Sequence, residues 1–472
     1  MFRALVLLAA VAACGDNLDP KPDAALPNGL LAQLNALPGV TATQEPTEQD
    51  GYTFIVLRFT QPVDHENLEG PTFQQRVSLL HRDKDAPMIV LTSGYWDYYQ
   101  DSTVELTRLL GSNQISIEHR FFAESRPTNP DWSKLTIKQM ADDEHAIIVA
   151  LRTIYPGKFV TTGGSKGGMT AIYHRRFYPD DVDGTVPYVA PISFGAPDTR
   201  YNAFFDTVGP PACRQAVRDV AKELLQNRRA MVETKAMEQA LDPDEPHSYS
   251  RIPLRPAVEG SIISLEWAFW QYYGFSFCST VPAPTDTDAK LFGFLNLISP
   301  VTDNDDDQIA AFDAYYYQAY AQLGYPDQAT PYLTPYIMFS DADYANALPT
   351  AEPAYDGGAA MRDIDEWVKQ HGNRLLFVYG QWDPWTAGKF ELGQATDSLD
   401  VMQAMGTHGA RMSRLGDADR AAAFAKIAAW TGVTPMLPMP MNARSRVVEP
   451  KEPRVPPAIV RAHRHALSSR HD

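Results

Sequence analysis

The stretch Gly163-Gly-Ser165-Lys-Gly-Gly168 contains the pattern Gly-x-Ser-x-Gly. Residues 158–162 before it form a short β-branched and aromatic run that is typical of a buried strand, and residues 169–177 after it favour a helix. A serine on a sharp strand-to-helix turn needs small neighbours, because the backbone passes too close for side chains. The bare pattern also arises by chance in ordinary turns. In this strand–turn–helix setting it predicts that Ser165 is a nucleophile.

A serine hydroxyl needs a histidine base and a carboxylate that orients this histidine. In the α/β-hydrolase fold both follow the serine, the acid before the histidine. Among eleven histidines, His408 fits this order, because it lies in a glycine-flanked loop at 406–409 before a final helical stretch. Asp383 follows a predicted strand at 374–379 and is the predicted acid. Its alternative interpretation is an aspartate that caps the turn before Pro384.

The spacing of these residues predicts the architecture. Asp383 lies 218 residues after Ser165, whereas an uninterrupted sheet needs only a few strand–helix units there. Residues 200–345 lack strand–helix alternation and carry helical stretches with aromatic clusters. We therefore predict an α/β fold: an α/β-hydrolase sheet formed by residues 46–199 and 346–433, with a large, mainly helical lid domain, 200–345, inserted between nucleophile and acid. Further elements are predicted as strands at 53–59, 74–81, 87–92 and 114–118 and a helix at 138–154.

An oxyanion hole is expected from backbone N–H groups. The residue after the nucleophile, Lys166, supplies one of them, and the loop after the predicted strand at 87–92 supplies the second. Gly94 and Tyr95 are the candidates in that loop. The side chain of Lys166 is interpreted as a packing or surface residue rather than a base, because the elbow turns it away from the nucleophile.

The amino terminus predicts export. Arg3 precedes about ten apolar residues, fewer than the roughly twenty that a membrane-spanning helix needs. Residues 1–13 therefore read as a lipoprotein signal peptide, with Cys14 as the lipidated residue; the alternative is an ordinary signal peptide cleaved near Ala13. We expect a protein anchored to the bacterial envelope, at the outer membrane, or an extracellular one. Residues 14–45 are predicted to be a tether, and residues 434–472 a disordered tail.

Composition and the remaining cysteines narrow the function classes. The net charge of −17 argues against a nucleic-acid partner, because phosphate binding needs a basic surface. No motif predicts a metal or a cofactor. Cys213 and Cys278 form an even pair once Cys14 is set aside, and an exported protein favours a disulfide between them. Two unpaired buried cysteines are the alternative.

Several sequence blocks extend beyond the predicted triad. With Ser165, Asp383 and His408 they resemble the bacterial secreted tripeptidyl aminopeptidases, family thirty-seven of the serine peptidases, and more distantly the lysosomal prolyl carboxypeptidases. The similarity covers about residues 45 to 430. The blocks are Gln61-Pro-Val-Asp-His65, Phe73-Gln-Gln-Arg76, Glu118-His-Arg-Phe-Phe122, Ser125-Arg-Pro127, Asp198-Thr-Arg-Tyr-Asn202 and Val208-Gly-Pro-Pro-Ala-Cys213-Arg214.

The resemblance implies a serine exopeptidase that acts on peptides and releases tripeptides from their amino ends, and it suggests a preference for proline at the third residue. Such an enzyme must hold the substrate's α-ammonium, which needs a partner of opposite charge in a closed pocket. Glu118 is the favoured carboxylate and Asp97 the second candidate; the alternative for Glu118 is an ion pair with Arg120. Trp96 and Trp382 are predicted to stack on the proline.

Other functions remain compatible with these residues. A prolyl carboxypeptidase-like peptidase or an esterase uses the same triad. A surface lipoprotein that binds peptides without turnover is the non-enzymatic alternative, and the presence of all three predicted triad members argues against it.

Overall fold

The computed structural model describes residues 27–437 except residues 329 and 351. The predicted signal peptide, Cys14 and the predicted tail from residue 438 onward lie outside the described residues. Among the helices that are described, none combines the length and the apolar character needed to cross a membrane.

A nine-stranded sheet forms the centre of the molecule, in the order β1-β2-β3-β5-β4-β6-β7-β8-β9. Pairing is antiparallel from β1 to β5 and parallel from β5 to β9. The strands are β1 (Val40–Glu45), β2 (Thr53–Pro62), β3 (Thr72–His81), β4 (Met88–Thr92), β5 (Asn113–Ile117), β6 (Phe159–Gly164), β7 (Gly184–Tyr188), β8 (Leu376–Gly380) and β9 (Leu399–Gln403). Strands β4 to β8 are buried along their whole length or nearly so, as expected for parallel strands covered on both faces.

Helices cover both faces of this sheet, which is the α/β-hydrolase arrangement that the sequence predicts. The long helix α3 begins at Ile137 because the hydroxyl of Thr136 accepts from the N–H of Gln139, and its apolar face, with Ile147 and Leu151, packs on the sheet. The ends of this helix and of the six predicted strands, β2 to β6 and β8, agree with the observed ends within three residues, whereas β1, β7 and β9 were not predicted. The sheet-covering helices are α1 (Pro27–Asn35), α2 (Glu105–Leu110), α3 (Ile137–Arg152), α4 (Lys166–Phe177), α12 (Ala359–His371) and α13 (Asp417–Thr431).

The predicted tether at 14–45 is wrong for its second half. Residues 27–35 form helix α1, and residues 40–45 form β1, an edge strand paired with β2. Leu30 and Leu34, four residues apart, are buried on one face of the helix, and each such burial contributes roughly 1.5–3 kcal/mol. Residues 27–45 are therefore part of the hydrolase core, because their apolar side chains are spaced to face it.

The segment between β7 and α12 forms a separate helical layer, which we call the lid. Its helices share one apolar core with Tyr95 and Phe122 of the sheet's loops, so the lid packs directly on the carboxyl ends of the strands. Cys213 and Cys278 form a disulfide within the lid. The helices are α5 (Pro211–Gln226), α6 (Arg229–Ala240), α7 (Leu254–Ile263), α8 (Leu265–Ala268), α9 (Asp288–Ile298), α10 (Asp306–Ala311) and α11 (Asp313–Gln318), with π-helical turns at Phe269–Tyr273 and Ala319–Leu323.

Candidate active site

Ser165 lies on the sharp turn between β6 and α4. Its backbone has φ 52° and ψ −123°, a strained conformation for a residue with a side chain. A Cβ atom at Gly163 would lie 2.4 Å from the carbonyl carbon of Gly167, and one at Gly167 would lie 2.3 Å from the oxygen of Thr92. Both glycines are therefore required by close backbone contacts, as the sequence predicts for a nucleophile turn.

His408 and Asp383 are brought together from two loops at the same edge of the sheet. Asp383 follows β8, His408 follows β9, and the Nδ1 atom of His408 lies 2.6 Å from Oδ2 of Asp383. Both side chains are almost completely buried. Burial raises the pKa of Asp383, and the adjacent imidazole opposes that rise by favouring the carboxylate.

Asp383 also caps the turn that follows it, since its Oδ1 atom accepts from the backbone N–H of Trp385 at 3.2 Å. The two interpretations of this aspartate are therefore not exclusive: one oxygen orients the histidine and the other fixes the loop.

One narrow cavity is lined by both Ser165 and His408. It lies beneath the lid, and four aromatic side chains contribute to its wall: Tyr95, Tyr272, Tyr315 and Trp385. The π-helical turn of the lid at 269–273 holds the base, because the backbone N–H of His408 donates to the carbonyl of Gln271 at 2.8 Å. The lid thus shapes the cavity and also positions a predicted catalytic side chain.

The loop proposed for the oxyanion hole lies against the first turn of α4. Gly94 has φ +74°, and a Cβ atom there would lie 2.5 Å from the backbone nitrogen of Gly167. Tyr95 and Lys166 both line the cavity next to Ser165. Lys166 is buried, with its Nζ atom 2.6 Å from the carbonyl oxygen of Gly94. It is therefore an interior residue, and the option of a surface position is wrong.

Glu118 and Asp97, the predicted ammonium-binding carboxylates, do not line this cavity. Both are buried and neither is among the residues that line the cavity. Glu118 accepts from the N–H of Asp97 at 3.0 Å and from the backbone and hydroxyl of Ser125. Asp97 in turn accepts from the hydroxyl of Ser116 at 2.6 Å. These carboxylates connect loops at the strand ends internally, which is why their fold position resembled that of a binding site.

The alternative partner for Glu118 is also wrong. Arg120 is buried and binds Asp143 instead, with its Nε atom 2.7 Å from Oδ2 and its second nitrogen 2.9 Å from Oδ1. This bidentate pair joins the loop after β5 to helix α3.

The two tryptophans predicted to contact proline lie outside the cavity wall. Trp96 packs against Phe312, with ring centroids 5.3 Å apart, and Trp382 packs against Trp270 at 5.8 Å. The aromatic residue that the same loop contributes is Trp385, two residues after Asp383. The sequence predicts an aromatic side chain from this loop at the site. Whether Trp382 or Trp385 lines the cavity depends on the turn that Asp383 caps.

Glu105 is a positioning residue that sequence reasoning missed. Its buried carboxylate accepts from the hydroxyl of Tyr188 at 2.9 Å and from the backbone N–H groups of Met412 and Ser413 at 3.0 and 3.1 Å. It fixes the chain just after His408 from a helix some 300 residues earlier. No local motif marks such a contact.

The described part of the chain contains no group of three or more His, Cys, Asp or Glu side chains arranged to hold a metal ion.

Comparison with known proteins identifies the family. The profile of the PS-10 peptidase S37 family matches residues 28–449. The chain belongs to this peptidase family. A prolyl tri/tetrapeptidyl aminopeptidase of Streptomyces mobaraensis is 37% identical over 441 residues, which is 92% of each chain. The protein is thus a serine peptidase, as the sequence blocks predict.

Two further similarities are weaker. A lysosomal Pro-X carboxypeptidase of Mus musculus is 30% identical over 179 residues, 33% of this chain and 36% of the relative. A peroxisomal alpha-beta-hydrolase of Saccharomyces cerevisiae superposes with a TM-score of 0.36 at 11% identity, covering 84% of this S37 peptidase and 94% of that chain. The fold assignment rests on the strand order and the serine turn rather than on this superposition.

Proposed function

We propose that this S37 peptidase releases tripeptides from the amino ends of peptides, with Ser165, His408 and Asp383 as its catalytic triad. The observation that carries the proposal is the buried His408–Asp383 hydrogen bond, at 2.6 Å, beside a cavity that His408 shares with Ser165. The relative from Streptomyces mobaraensis supports the substrate class, because its name specifies a prolyl tri/tetrapeptidyl aminopeptidase.

Each residue has a defined step. Asp383 accepts the Nδ1–H of His408, which leaves Nε2 as the base for the hydroxyl proton of Ser165. The serine oxygen attacks the carbonyl carbon of the third substrate residue, and the N–H groups of Lys166 and Tyr95 stabilise the oxyanion. His408 then gives its proton to the leaving amine as the peptide bond breaks. Water, activated by the same imidazole, releases the tripeptide from the serine.

The aromatic cavity supports a preference for proline at the third residue. The aromatic residues Tyr272, Tyr315 and Trp385 line the cavity together with Ser165 and His408. A proline ring is apolar and loses little conformational freedom on binding, so it fits such a site better than a polar side chain. The lid covers this cavity, and a covered cavity suits an exopeptidase that accepts only a short acyl segment.

Labelling with a fluorophosphonate and assay of S165A test the triad. We expect S165A to lose the label and to lower kcat by about 10⁶-fold, the loss typical of removing a triad serine. S193A is the matched control, because Ser193 is another serine of the cavity wall, and it should still be labelled. Retention of a tenth of the wild-type activity in S165A would refute the assignment.

We also propose that the peptidase is exported and anchored through Cys14. The disulfide between Cys213 and Cys278 supports an oxidising compartment, and the apolar leader before Cys14 supports lipidation. C14S should move the protein from the membrane fraction to the soluble fraction. An unchanged distribution would contradict the anchor.

A further inference from the structure

The side chain of Lys166 is buried beside the nucleophile and has no task in the triad. Its Nζ atom donates to the carbonyl oxygen of Gly94 at 2.6 Å, and it lies 5.7 Å from the ring centre of Tyr95 and 5.4 Å from that of Phe122. A buried ammonium is costly unless its surroundings compensate it. A carbonyl and two ring faces are direct contacts that compensate this one, and the carboxyl of Glu144 also favours its charge.

The carbonyl that Lys166 binds belongs to the peptide unit between Gly94 and Tyr95. The C=O of Gly94 and the N–H of Tyr95 are parts of one trans peptide plane and point in opposite directions. Fixing the carbonyl on the lysine side therefore fixes the N–H on the other side. That N–H is the second oxyanion donor in the proposed mechanism.

The Gly94–Tyr95 peptide unit must be held in place because its first residue is a glycine. Gly94 adopts φ +74°, and glycine reaches both signs of φ at little cost. Rotation of the Gly94–Tyr95 peptide would turn the N–H away from the substrate. The ammonium of Lys166 opposes that rotation, since its hydrogen bond to the carbonyl would be lost.

We propose that the Lys166 side chain is a positioning residue, which ties the nucleophile turn to the Gly94 carbonyl and so aims the N–H of Tyr95 at the oxyanion. This role rests on the proposed serine-hydrolase chemistry, but it does not depend on whether the substrate is a tripeptide.

The charge of Lys166 makes this contact sensitive to pH. Burial lowers the pKa of Lys166 to about 7, and the carboxyl of Glu144 on α3 opposes that shift. The other titratable groups that face it are His119 and the phenol of Tyr95. Burial lowers the pKa of His119 well below its usual value, so this imidazole stays neutral. The ammonium is present below about pH 7 and is lost as the pH rises, so kcat should fall on the alkaline side.

Lys166→Met tests the contact, because methionine fills similar space without a charge. We expect kcat to fall by about 10²- to 10³-fold, the loss typical of one missing oxyanion donor, with KM within about threefold of wild type. Thr170→Val is the matched control: Thr170 is buried one turn later on α4, and its hydroxyl donates to the carbonyl of Lys166 at 2.8 Å. The Thr170→Val variant removes a buried hydrogen bond of the same helix and should leave kcat within about threefold of the wild-type value. A kcat within tenfold of wild type in folded K166M would overturn the proposal.

Lys166→Arg provides a readout that a purely structural role would not change. Arginine keeps its charge at alkaline pH, so the alkaline fall of kcat should disappear in this variant. Identical alkaline limbs in wild type and K166R would overturn the proposal. If K166M does not fold, as judged by circular dichroism, the wild-type profile decides: kcat that stays level between pH 7 and 9 contradicts the role.

These measurements use kcat, which reports the bound complex, with a short acyl ester beside the tripeptide reporter. The ester carries no amine that titrates in this range. If the tripeptide specificity is wrong, the ester still tests Lys166. If S165A remains active, the proposed function fails independently of the Lys166 variants.

Discussion

Replacing Asp383 with asparagine should nearly abolish turnover, for a reason that the geometry makes specific. The carboxylate has two acceptor oxygens, one used by Nδ1 of His408 at 2.6 Å and the other by the N–H of Trp385 at 3.2 Å. An asparagine amide offers one acceptor and one donor. If its oxygen faces Trp385, its NH2 group faces His408 and forces the imidazole proton onto Nε2, where it blocks acceptance of the Ser165 proton.

The opposite orientation is also unfavourable. The amide NH2 group then faces the N–H of Trp385 in a site where Asp383 is completely buried, and an unsatisfied buried donor costs about 1–3 kcal/mol. The wrong tautomer therefore dominates. We expect kcat/KM to fall by about 10⁴-fold, which corresponds to roughly 5.4 kcal/mol of lost transition-state stabilisation.

The assay is hydrolysis of a chromogenic Ala-Ala-Pro reporter by D383N, with D400N as the matched control. Asp400 is an exposed acid of β9 whose Oδ2 atom lies 3.0 Å from Nζ of Lys389, so its loss should change kcat/KM by no more than about twofold. If D383N keeps more than a tenth of the wild-type kcat/KM, Asp383 is not the acid that orients His408.

Three further outcomes follow from the same contacts. Because the Cys213–Cys278 bridge closes a loop of 65 residues, the double serine variant should unfold in urea with a stability lower by up to about 4 kcal/mol; an unchanged midpoint would argue against a stabilising bridge. E105Q should lower kcat by about tenfold, because it weakens the charged hydrogen bonds that fix the chain after His408. A wild-type kcat in this variant would contradict the positioning role of Glu105. Burial raises the pKa of Asp306, but hydrogen bonds outweigh this effect and hold the pKa at about 2. The stabilisation that this carboxylate contributes is therefore present above pH 4 and is lost as the pH falls towards 2. The Tm difference between wild type and D306N should shrink over that range, and a constant difference would contradict the role of Asp306.

Six of the nine strands, the serine turn and the approach of Asp383 to His408 were predictable from the sequence because their signals are local. Glycines around Ser165, a strand before Asp383 and a glycine-flanked loop at His408 each reflect a short-range requirement of the backbone. The folded stretch at 27–45 was missed because its polar residues obscured a four-residue apolar spacing.

The substrate side of the site was less predictable, since it depends on contacts between distant segments. Glu118 lies at the correct edge of the sheet, but Ser125 and the loop at 97 use both of its oxygens. Trp382 and Trp385 lie in the same loop, but only Trp385 lines the cavity. The burial of Lys166 depends on its hydrogen bond to the carbonyl of Gly94, which lies in another loop. Such contacts arise from tertiary packing and leave no periodic pattern in the chain.

The central claim, release of tripeptides from a free amino end, is tested most directly by comparing two reporters on the wild-type enzyme. Ala-Ala-Pro with a free amine and its acetylated counterpart carry the same scissile bond and differ in the acetyl group, which removes the terminal charge. We predict that kcat/KM for the free amine is at least about a hundredfold higher, because an interaction with a partly desolvated charge is worth about 3 kcal/mol. Equal values for the two reporters would contradict the aminopeptidase function and leave a serine hydrolase of another specificity.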